Sequence, residues 1–100
     1  MSSEAGVKHD KGKLPWRLVP WAQMKDVVQV LAFGAHKYPS ADNWQRVEGA
    51  KERYLDAAFR HLLARAMGEQ RDPETGLPHL AHLICCALFL AWFDDNKREA

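Results

Sequence analysis

The segment LPHLAHLICCALFLAWFD, residues 77–94, determines the fold class, because it contains the longest apolar run of the chain, residues 83–93. Pro78 in its first turn and the regular spacing of its apolar side chains predict a helix over the whole segment. Apolar residues occupy opposite sides of that helix, with Leu80, Ile84, Leu88 and Trp92 on one side and Leu83 and Leu90 on the other. A helix that is apolar nearly all round must be covered on most sides. We therefore predict an all-α protein that is completed as a homodimer or homotetramer, with this helix in the interface.

Two further helices are predicted upstream of this segment. Apolar residues recur at helical spacing over residues 22–36 and again over residues 47–67, where Gly68 provides a C-terminal stop. The apolar stripe of the second helix consists of Leu55, Phe59, Leu62 and Ala66. Residues 10–21, DKGKLPWRLVPW, contain two prolines and a glycine and are expected to form an extended arm. The pattern predicts a small bundle of about three main helices, in which a long helical hairpin packs with one more helix and the N-terminal arm.

Length and composition limit the classes of protein to which the chain can belong. Its 100 residues, 47% hydrophobic and 27% charged, indicate one globular domain, with a flexible tail over residues 1–9 and a helical core over residues 10–95. A formal net charge of +1 gives no general attraction to nucleic acid or to a membrane surface. The longest apolar run is also too short to cross a bilayer. We expect no nucleic-acid partner and no membrane partner.

The cysteines and the N-terminus indicate a cellular compartment. Cys85 and Cys86 are adjacent within an apolar helix, so their side chains point in different directions and a mutual disulfide is not expected. Free cysteines fit a reducing environment. The N-terminal residues show no pattern of a signal peptide. We therefore predict a cytoplasmic protein with both cysteines in its core.

His79 and His82 form the first candidate site. They lie three residues apart on one helix face, and Cys86 follows one turn later on the same face. Imidazole and thiolate are good metal ligands, so a metal site is one interpretation. In the other interpretation, the histidines form hydrogen bonds near the helix start and the cysteines fill the core. The spacing alone leaves both open and favours the second.

A row of charged residues marks the second predicted helix. Glu48, Glu52, Asp56 and Arg60 recur at steps of four residues. The carboxylates are suited to Mg²⁺ or Mn²⁺ beside a triphosphate, or else to a solvated face with ion pairs to Arg60. Arg60 lies within an apolar stretch, where a guanidinium needs a carboxylate or an anionic ligand. A phosphate, Asp56, or Asp72 or Glu74 of the following loop would satisfy it.

Cations and aromatic side chains occur together at two further places. The arm contains Lys11, Lys13 and Arg17 beside Trp16 and Trp21. Such a mixture suits a nucleotide, because cations attract its phosphates and rings stack on its base, although core-filling tryptophans explain the pattern equally well. The loop after the first helix adds Lys37, Asn43 and Trp44, which are placed to contact a base or a sugar between helix ends.

Taken in order, six blocks of the chain resemble a known family. They are DKGKLPWRLVP, FGAHKY, NWQR, RYLDAAFRHLLA, GE and DPETGLPHLAHLICC, and they cover about residues 10–93. The set is similar to the small dATP/dGTP diphosphohydrolase N-terminal domain family, found largely in phages and usually placed near the MazG-like all-α nucleoside triphosphate pyrophosphohydrolases. The resemblance implies hydrolysis of a purine deoxynucleoside triphosphate, dGTP or dATP, to the monophosphate and pyrophosphate. A phage-encoded protein of this kind would act in the host cytoplasm.

The resemblance also implies roles for individual residues. A divalent metal and its water are expected at Asp56, His79 and His82, helped by Glu52. The phosphates are assigned to Lys11, Lys13, Lys37 and Arg60, with Arg60 also acting in catalysis. The base, sugar or other parts of the substrate are assigned to Asn43, Trp44 and His61.

The chain departs from the broader MazG-like pattern in its metal ligands. That pattern has E-x-x-E on one helix and E-x-x-D on the partner helix, whereas His79 and His82 stand where the partner's acids are expected. The histidines either replace the acids as ligands or handle phosphate and protons, and Asp72 and Glu74 are candidates to supply the missing oxygens. We expect Mg²⁺ or Mn²⁺, with a transition metal such as Zn²⁺ as the alternative that histidine ligands favour.

Two alternative functions use the same sequence features. A nucleotide-binding or sensing module would employ the same pocket without catalysis. A helical protein-interaction factor of phage origin would use the helices alone, and the polar groups would then serve stability.

Overall fold

The computed structural model describes residues 4–96, and within that range it contains three α-helices and no β-strand. They are α1 (Trp21–Lys37), α2 (Ala50–Ala66) and α3 (His79–Asn96), with 3₁₀ turns at Trp16–Leu18 and Asn43–Arg46. The predicted all-α bundle of three main helices is confirmed. In the described part of the chain, no helix combines the length and the apolar character that a membrane crossing requires. The tail predicted over residues 1–9 lies partly outside the described residues.

The helix boundaries differ from the predicted ones where loop contacts intervene. α2 begins at Ala50 rather than Val47, because the 3₁₀ turn Asn43–Arg46 and Gly49, with a φ of +67°, precede it. Glu48 therefore lies outside the helix, so the predicted row of charged residues loses its first member. α1 extends one residue beyond the predicted range at each end.

The start of α3 is set by contacts of the loop before it. Arg71 and Pro78 form an isolated antiparallel bridge, and the Asp72 backbone N–H donates to the Leu77 carbonyl at 2.9 Å. These contacts hold Leu77 and Pro78 in bridge geometry, so the helix begins at His79 instead of at Leu77. The same contacts bring the loop acids back beside the first turn of α3.

α3 lies at the centre of the molecule. It packs against α2 on one side and against α1 on the other, while α1 and α2 have little contact with each other. Val27 of α1 packs with Ala81 and Cys85 of α3 in the buried core. The Cys85 thiol also donates to the Val27 carbonyl oxygen at 3.5 Å. Burial raises the pKa of Cys85 to about 12, and both cysteines are free and buried, as predicted.

The predicted apolar stripe of α2 does not face α3, which is a correction to the sequence interpretation. Leu55, Phe59 and Leu62 are 47%, 61% and 47% exposed. The more buried face is instead made mostly of small residues: Ala50, Tyr54, Ala57, Ala58, His61 and Ala64. Small side chains let α2 approach α3 closely enough to pack against its large aromatic residues. α2 therefore has two faces with apolar residues, and the bulkier one remains uncovered.

Candidate functional site

The loop over residues 69–76 is folded by its own side chains. The Asp72 Oδ1 atom accepts the backbone N–H groups of Glu74 at 2.7 Å and Thr75 at 3.1 Å. This is a turn in which an aspartate bonds to the backbone ahead of it, as the sequence D-P-E-T-G favours. Gly76 completes the turn with a φ of +72°. The loop thereby fixes the direction of the Asp72 carboxylate beside the ends of α2 and α3.

His79, the first residue of α3, is buried and contacts two side chains. Its Nε2 atom lies 2.7 Å from Glu69 Oε1, and its Nδ1 atom lies 2.9 Å from Nδ1 of His61. α2 and α3 are consecutive helices, and the loop between them, residues 67–78, folds back on itself so that the end of α2 adjoins the start of α3. That connection places His61 and His79 together although 18 residues separate them.

His82 joins the same group from the next turn of α3. Its ring stacks on that of His61, with centroids 4.6 Å apart and an interplanar angle of 10°. Its Nε2 atom lies 2.7 Å from Thr75 Oγ1, and that hydroxyl also accepts the Leu77 backbone N–H at 3.2 Å. We call His61, His79 and His82 the histidine cluster.

The electrostatic environment keeps this cluster low in charge. Burial, followed by the neighbouring His82 and His79 rings, lowers the pKa of His61. Burial is also the main cause of the lowered pKa of His82, with the Asp72 carboxylate acting against it. Partial burial of Asp72 acts to raise its pKa, but hydrogen bonds from Thr75 and Glu74 and the nearby histidines outweigh it, so the pKa is lowered. Neutral imidazoles beside an ionised carboxylate are the forms that bind metals.

Three side chains offer donor atoms to a common position. One ligand atom from each of His61, Asp72 and His79 lies within 4.8 Å of the other two. The sequence predicted Asp72 and His79 as ligands but assigned His61 to substrate binding. His82, predicted as the partner of His79 in a metal row, contacts Thr75 and stacks on His61 instead. The structure therefore pairs His79 with a histidine of α2 rather than with its neighbour on α3.

An open cleft of ≈ 930 Å³ lies beside the cluster, between α1 and α2. Its floor includes Phe89 and its polar lining comes from several elements: Lys37, Asn43, Trp44, Arg53, Arg60, Glu74, Thr75 and His82. The Lys37 ammonium lies 2.9 Å from Glu74 Oε2, which links the end of α1 to the loop. That hydrogen bond is the main cause of the raised pKa of Lys37. The volume is within the range of small-molecule binding sites, about 300–1,000 Å³.

Trp44 connects the cleft to an aromatic core. Its ring stacks on Phe89 with centroids 4.4 Å apart, and it meets Trp92 and Phe93 edge-on. The Tyr54 hydroxyl donates to the Trp44 carbonyl at 3.1 Å. Trp44 therefore packs in the core and also lines the cleft, and its contact with a base or sugar stays a prediction.

Several predicted site residues lie outside this region. Lys11 and Lys13 are exposed on the N-terminal arm, and Glu52 and Asp56 are exposed on α2. Within residues 4–96, none of these four lines the cleft or belongs to the three-residue ligand set. Their assigned roles stay predictions.

Arg60 lines the cleft but is not neutralised by a neighbouring acid. Across the described residues it forms no salt bridge with Asp56, Asp72 or Glu74, so the ion pairs considered from the sequence are not present. Glu74 is paired with Lys37 instead. The Arg60 guanidinium is left exposed at the cleft wall, as the phosphate interpretation requires.

The sequence predicted no role in the site for two of its residues, Glu69 and Thr75. Each bonds to a histidine of α3, Glu69 to His79 and Thr75 to His82. The sequence gives a partial indication, because both residues lie in the loop that joins α2 to α3. That loop leads directly into the first turn of α3. Which loop side chain meets which histidine depends on the loop conformation, which spacing does not reveal.

Comparison with known proteins agrees with the resemblance seen in the sequence. The family model described as dATP/dGTP diphosphohydrolase, N-terminal, matches residues 3–100. A protein of Salmonella phage PMBT28 named dATP/dGTP diphosphohydrolase is 42% identical over 93 residues, which make up 92% of this chain and 31% of that relative. The chain thus spans less than a third of the length of the curated relative that it matches. No solved structure matches the chain. The chain belongs to the dATP/dGTP diphosphohydrolase N-terminal family.

Proposed function

We propose that this chain binds a purine deoxynucleoside triphosphate in the cleft between α1 and α2 and takes part in its metal-dependent hydrolysis to the deoxynucleoside monophosphate and pyrophosphate. The observation that carries the proposal is the position of a cation-lined cleft directly beside the histidine cluster, with His82 common to both. Membership of the family supports the substrate class, and the phage relative bears the corresponding name.

The triphosphate is assigned to the cationic side chains of the cleft. Arg60 on α2 and Lys37 at the end of α1 both line it, and Arg53 lies on the same helix as Arg60. A guanidinium suits the bidentate geometry of phosphate oxygens. Lys37 would exchange its contact with Glu74 for a phosphate when nucleotide binds. Lys11 and Lys13 remain candidates only if the arm reaches the cleft on binding.

The base and sugar are assigned to the 3₁₀ turn Asn43–Arg46. Trp44 supplies an aromatic surface that is already held by Phe89 and by the Tyr54 hydroxyl. Asn43 adds an amide, which can donate to and accept from the polar edge of a purine. The distance between this turn and the histidine cluster is bridged by the cleft, so base and phosphates would lie at different ends.

The ligand atoms of the described residues can be compared with those that the metal implied by the family would require. Paired carboxylates on two facing helices, which suit Mg²⁺, are not brought together among the described residues. The side chains that do converge are His61, Asp72 and His79, and they fit a divalent ion that accepts nitrogen ligands. Such an ion, when bound, supplies positive charge to the phosphates and an activated water. His82 lies beside this group with one ring nitrogen engaged by Thr75, and we assign it to proton transfer.

The proposal is tested by product analysis. Purified protein is incubated with each dNTP and each rNTP in Mg²⁺, Mn²⁺ or Zn²⁺, and products are separated by anion exchange and identified by ³¹P NMR. We expect dGTP or dATP to give the monophosphate and pyrophosphate in equal amounts. Arg60→Ala should reduce turnover, with Arg65→Ala on the outside of α2 as the matched control. Release of orthophosphate, or no product with any metal, would contradict the proposal.

A second candidate is a nucleotide-binding module without its own turnover. The specific observation in its favour is that the chain matches only 31% of the relative that bears the enzyme name. Calorimetry with dGTP and dGMP, run beside the turnover assay, distinguishes the two candidates. Saturable binding of dGTP without any product would favour the module.

We also propose that the protein is a homo-oligomer. The accessible surface is 8048 Å², whereas a folded monomer of this mass exposes about 5,800 Å². Part of this excess comes from residues 4–18, which are exposed throughout, and part from apolar side chains on the helices. Exposed apolar side chains on α2 and α3 supply surface for a second copy. One of these helices, α3, is the helix that the sequence placed in the interface.

A further inference from the structure

The ring of His79 is held in one orientation by two contacts. It is 4% exposed, and its Nε2 and Nδ1 atoms lie 2.7 Å from Glu69 Oε1 and 2.9 Å from His61 Nδ1. A carboxylate oxygen accepts hydrogen bonds, so Nε2 of His79 carries the proton in that contact. A carboxylate that holds one imidazole nitrogen fixes the direction of the other, which is how metal-binding histidines are commonly oriented.

The contact between the two Nδ1 atoms is itself informative. Each neutral imidazole has one nitrogen with a proton and one with a lone pair, so a bond between His61 Nδ1 and His79 Nδ1 uses a single proton for two nitrogens. A metal cation accepts lone pairs from both nitrogens at once. If the proton of His61 moves from Nδ1 to Nε2, both rings stay neutral and both Nδ1 atoms present lone pairs to one another's side of the contact, which is shielded from solvent on the His79 side.

Asp72 supplies a third donor to the same position. Its Oδ1 atom is taken by the backbone N–H groups of Glu74 and Thr75. Those two bonds fix the carboxylate plane, and a second oxygen remains with its lone pairs. One atom of Asp72 lies within 4.8 Å of a donor atom of each histidine, so donor groups from α2, the loop and α3 converge on the same region.

We propose that His61, Asp72 and His79 bind one first-row transition metal ion through two nitrogens and one carboxylate oxygen, with Glu69 as a positioning residue. Imidazole ligands suit Zn²⁺ and other late first-row ions, whereas Mg²⁺ prefers oxygen ligands. Three protein ligands leave a position for water or for a phosphate oxygen. The role of the bound ion in hydrolysis rests on the proposed function, but binding of the metal does not.

The proposal replaces the ligand row that the sequence suggested. His82 is stacked on His61 and engaged by Thr75, so it supports the site from the side. The thiol of Cys86 is buried, and burial raises its pKa, which disfavours the thiolate form that binds metals. The metal site therefore spans the two helices of the hairpin instead of following one face of α3.

Metal binding is tested on the full chain without nucleotide. Protein stripped with a chelator is titrated with Zn²⁺, Mn²⁺ and Mg²⁺ by calorimetry, and Co²⁺ is followed by its visible absorption. We expect one Zn²⁺ or Co²⁺ per chain and no displacement by Mg²⁺ at equal concentration. His61→Ala and Asp72→Asn should weaken Zn²⁺ binding by at least about 100-fold, and Glu69→Gln by about 10- to 100-fold with the stoichiometry retained.

Two controls make the result specific. Asp72→Asn keeps the oxygen that accepts the Glu74 and Thr75 N–H groups, so the loop should stay folded while the metal is lost. His36→Ala removes an exposed histidine at the end of α1 and should leave Zn²⁺ affinity unchanged. Far-ultraviolet circular dichroism of each variant confirms the helices. Wild-type affinity in both ligand variants, or no stoichiometric binding by the wild type, would overturn the site.

The outcome is separable from that of the proposed function. Stoichiometric Zn²⁺ or Co²⁺ binding that depends on His61 and Asp72, without any nucleotide hydrolysis, would support the metal site and contradict catalysis by this chain. Hydrolysis with Mg²⁺ that persists in His61→Ala, together with no stoichiometric Zn²⁺ or Co²⁺ binding by the wild type, would do the reverse.

Discussion

Single residues of the site owe their properties to their neighbours more than to their type. His79 is buried with both ring nitrogens engaged, whereas His61 and His82 are half-buried and stacked on each other. The five histidines of the chain are chemically identical in sequence. Burial and the nearest polar atom decide which of them bind a ligand, which support a neighbour and which remain in solvent.

The histidine cluster should make the metal-free protein less stable in mild acid. Burial lowers the folded-state pKa values of His61 and His82 below the ordinary 6.5. The unfolded chain then binds more protons than the folded one around and below pH 6.5, so the free energy of unfolding decreases as the pH falls through that range. Urea denaturation between pH 7.5 and 5.5, in chelator, should show this decrease. The double variant His61→Gln/His82→Gln should show a flatter profile, and an equal slope would contradict the assignment.

Thr75 should contribute to stability through its hydroxyl. That oxygen contacts His82 Nε2 at 2.7 Å and accepts the Leu77 N–H at 3.2 Å. Thr75→Val keeps the shape but leaves both partners unsatisfied, and we expect a loss of about 1–3 kcal/mol in the free energy of unfolding. Thr75→Ser retains the hydroxyl and serves as the control. Equal urea midpoints for the two variants would show that the hydroxyl has no such role.

At the scale of elements, α2 shows why amphipathic spacing alone does not determine packing. Leu55, Phe59 and Leu62 form the bulkier apolar stripe, yet the side with Ala50 and Ala57 is the one against α3. Both stripes have helical periodicity. The choice between them depends on the shape of α3, whose large aromatic residues pack against a face of α2 made mostly of small side chains.

Two glycines offer a matched test of helix geometry. Gly49 precedes α2 with a φ of +67°, and an added Cβ would meet only Arg53 Cδ at 3.8 Å, so Gly49→Ala should cost about 1–2 kcal/mol from backbone strain alone. Gly34 lies within α1 and an added Cβ would meet no atom within 4 Å. Gly34→Ala should therefore stabilise by about 0.5–1 kcal/mol. Thermal and urea unfolding measure both, and changes of the same sign would contradict the assigned backbone conformations.

On the scale of the whole molecule, the chain is more open than its length predicts. Its radius of gyration is 18.4 Å, whereas a compact domain of 100 residues has about 13 Å. Residues 4–18 are exposed throughout, and bulky apolar side chains on α2 and α3 are uncovered as well. Large exposed apolar surfaces of this kind mark interaction sites in soluble proteins.

Self-association should depend on the uncovered stripe of α2. Sedimentation velocity and light scattering should give a dimer or tetramer, and Phe59→Glu and Leu62→Glu should lower the mass, because a buried carboxylate opposes assembly. Leu88→Glu tests the exposed side of α3 in the same way. Val7→Glu, at a residue 80% exposed before the first turn, is the control. A wild-type mass of one chain at all concentrations would contradict the proposal.

The sequence by itself determined the helical class, the number of helices, the buried cysteines and the family. Those features depend on local periodicity, on turn residues and on ordered motifs, all of which are encoded by residues close together in the chain. The tertiary structure decided which face of α2 is buried, where α3 begins and that His61, not His82, lies against His79. These depend on which side chains meet once the loop and helices are folded, namely the loop bonds of Asp72, Glu69 and Thr75 and the fit of alanines against aromatic rings. Spacing cannot reveal such contacts, because several pairings satisfy the same periodicity and only side-chain shape and hydrogen bonding choose among them.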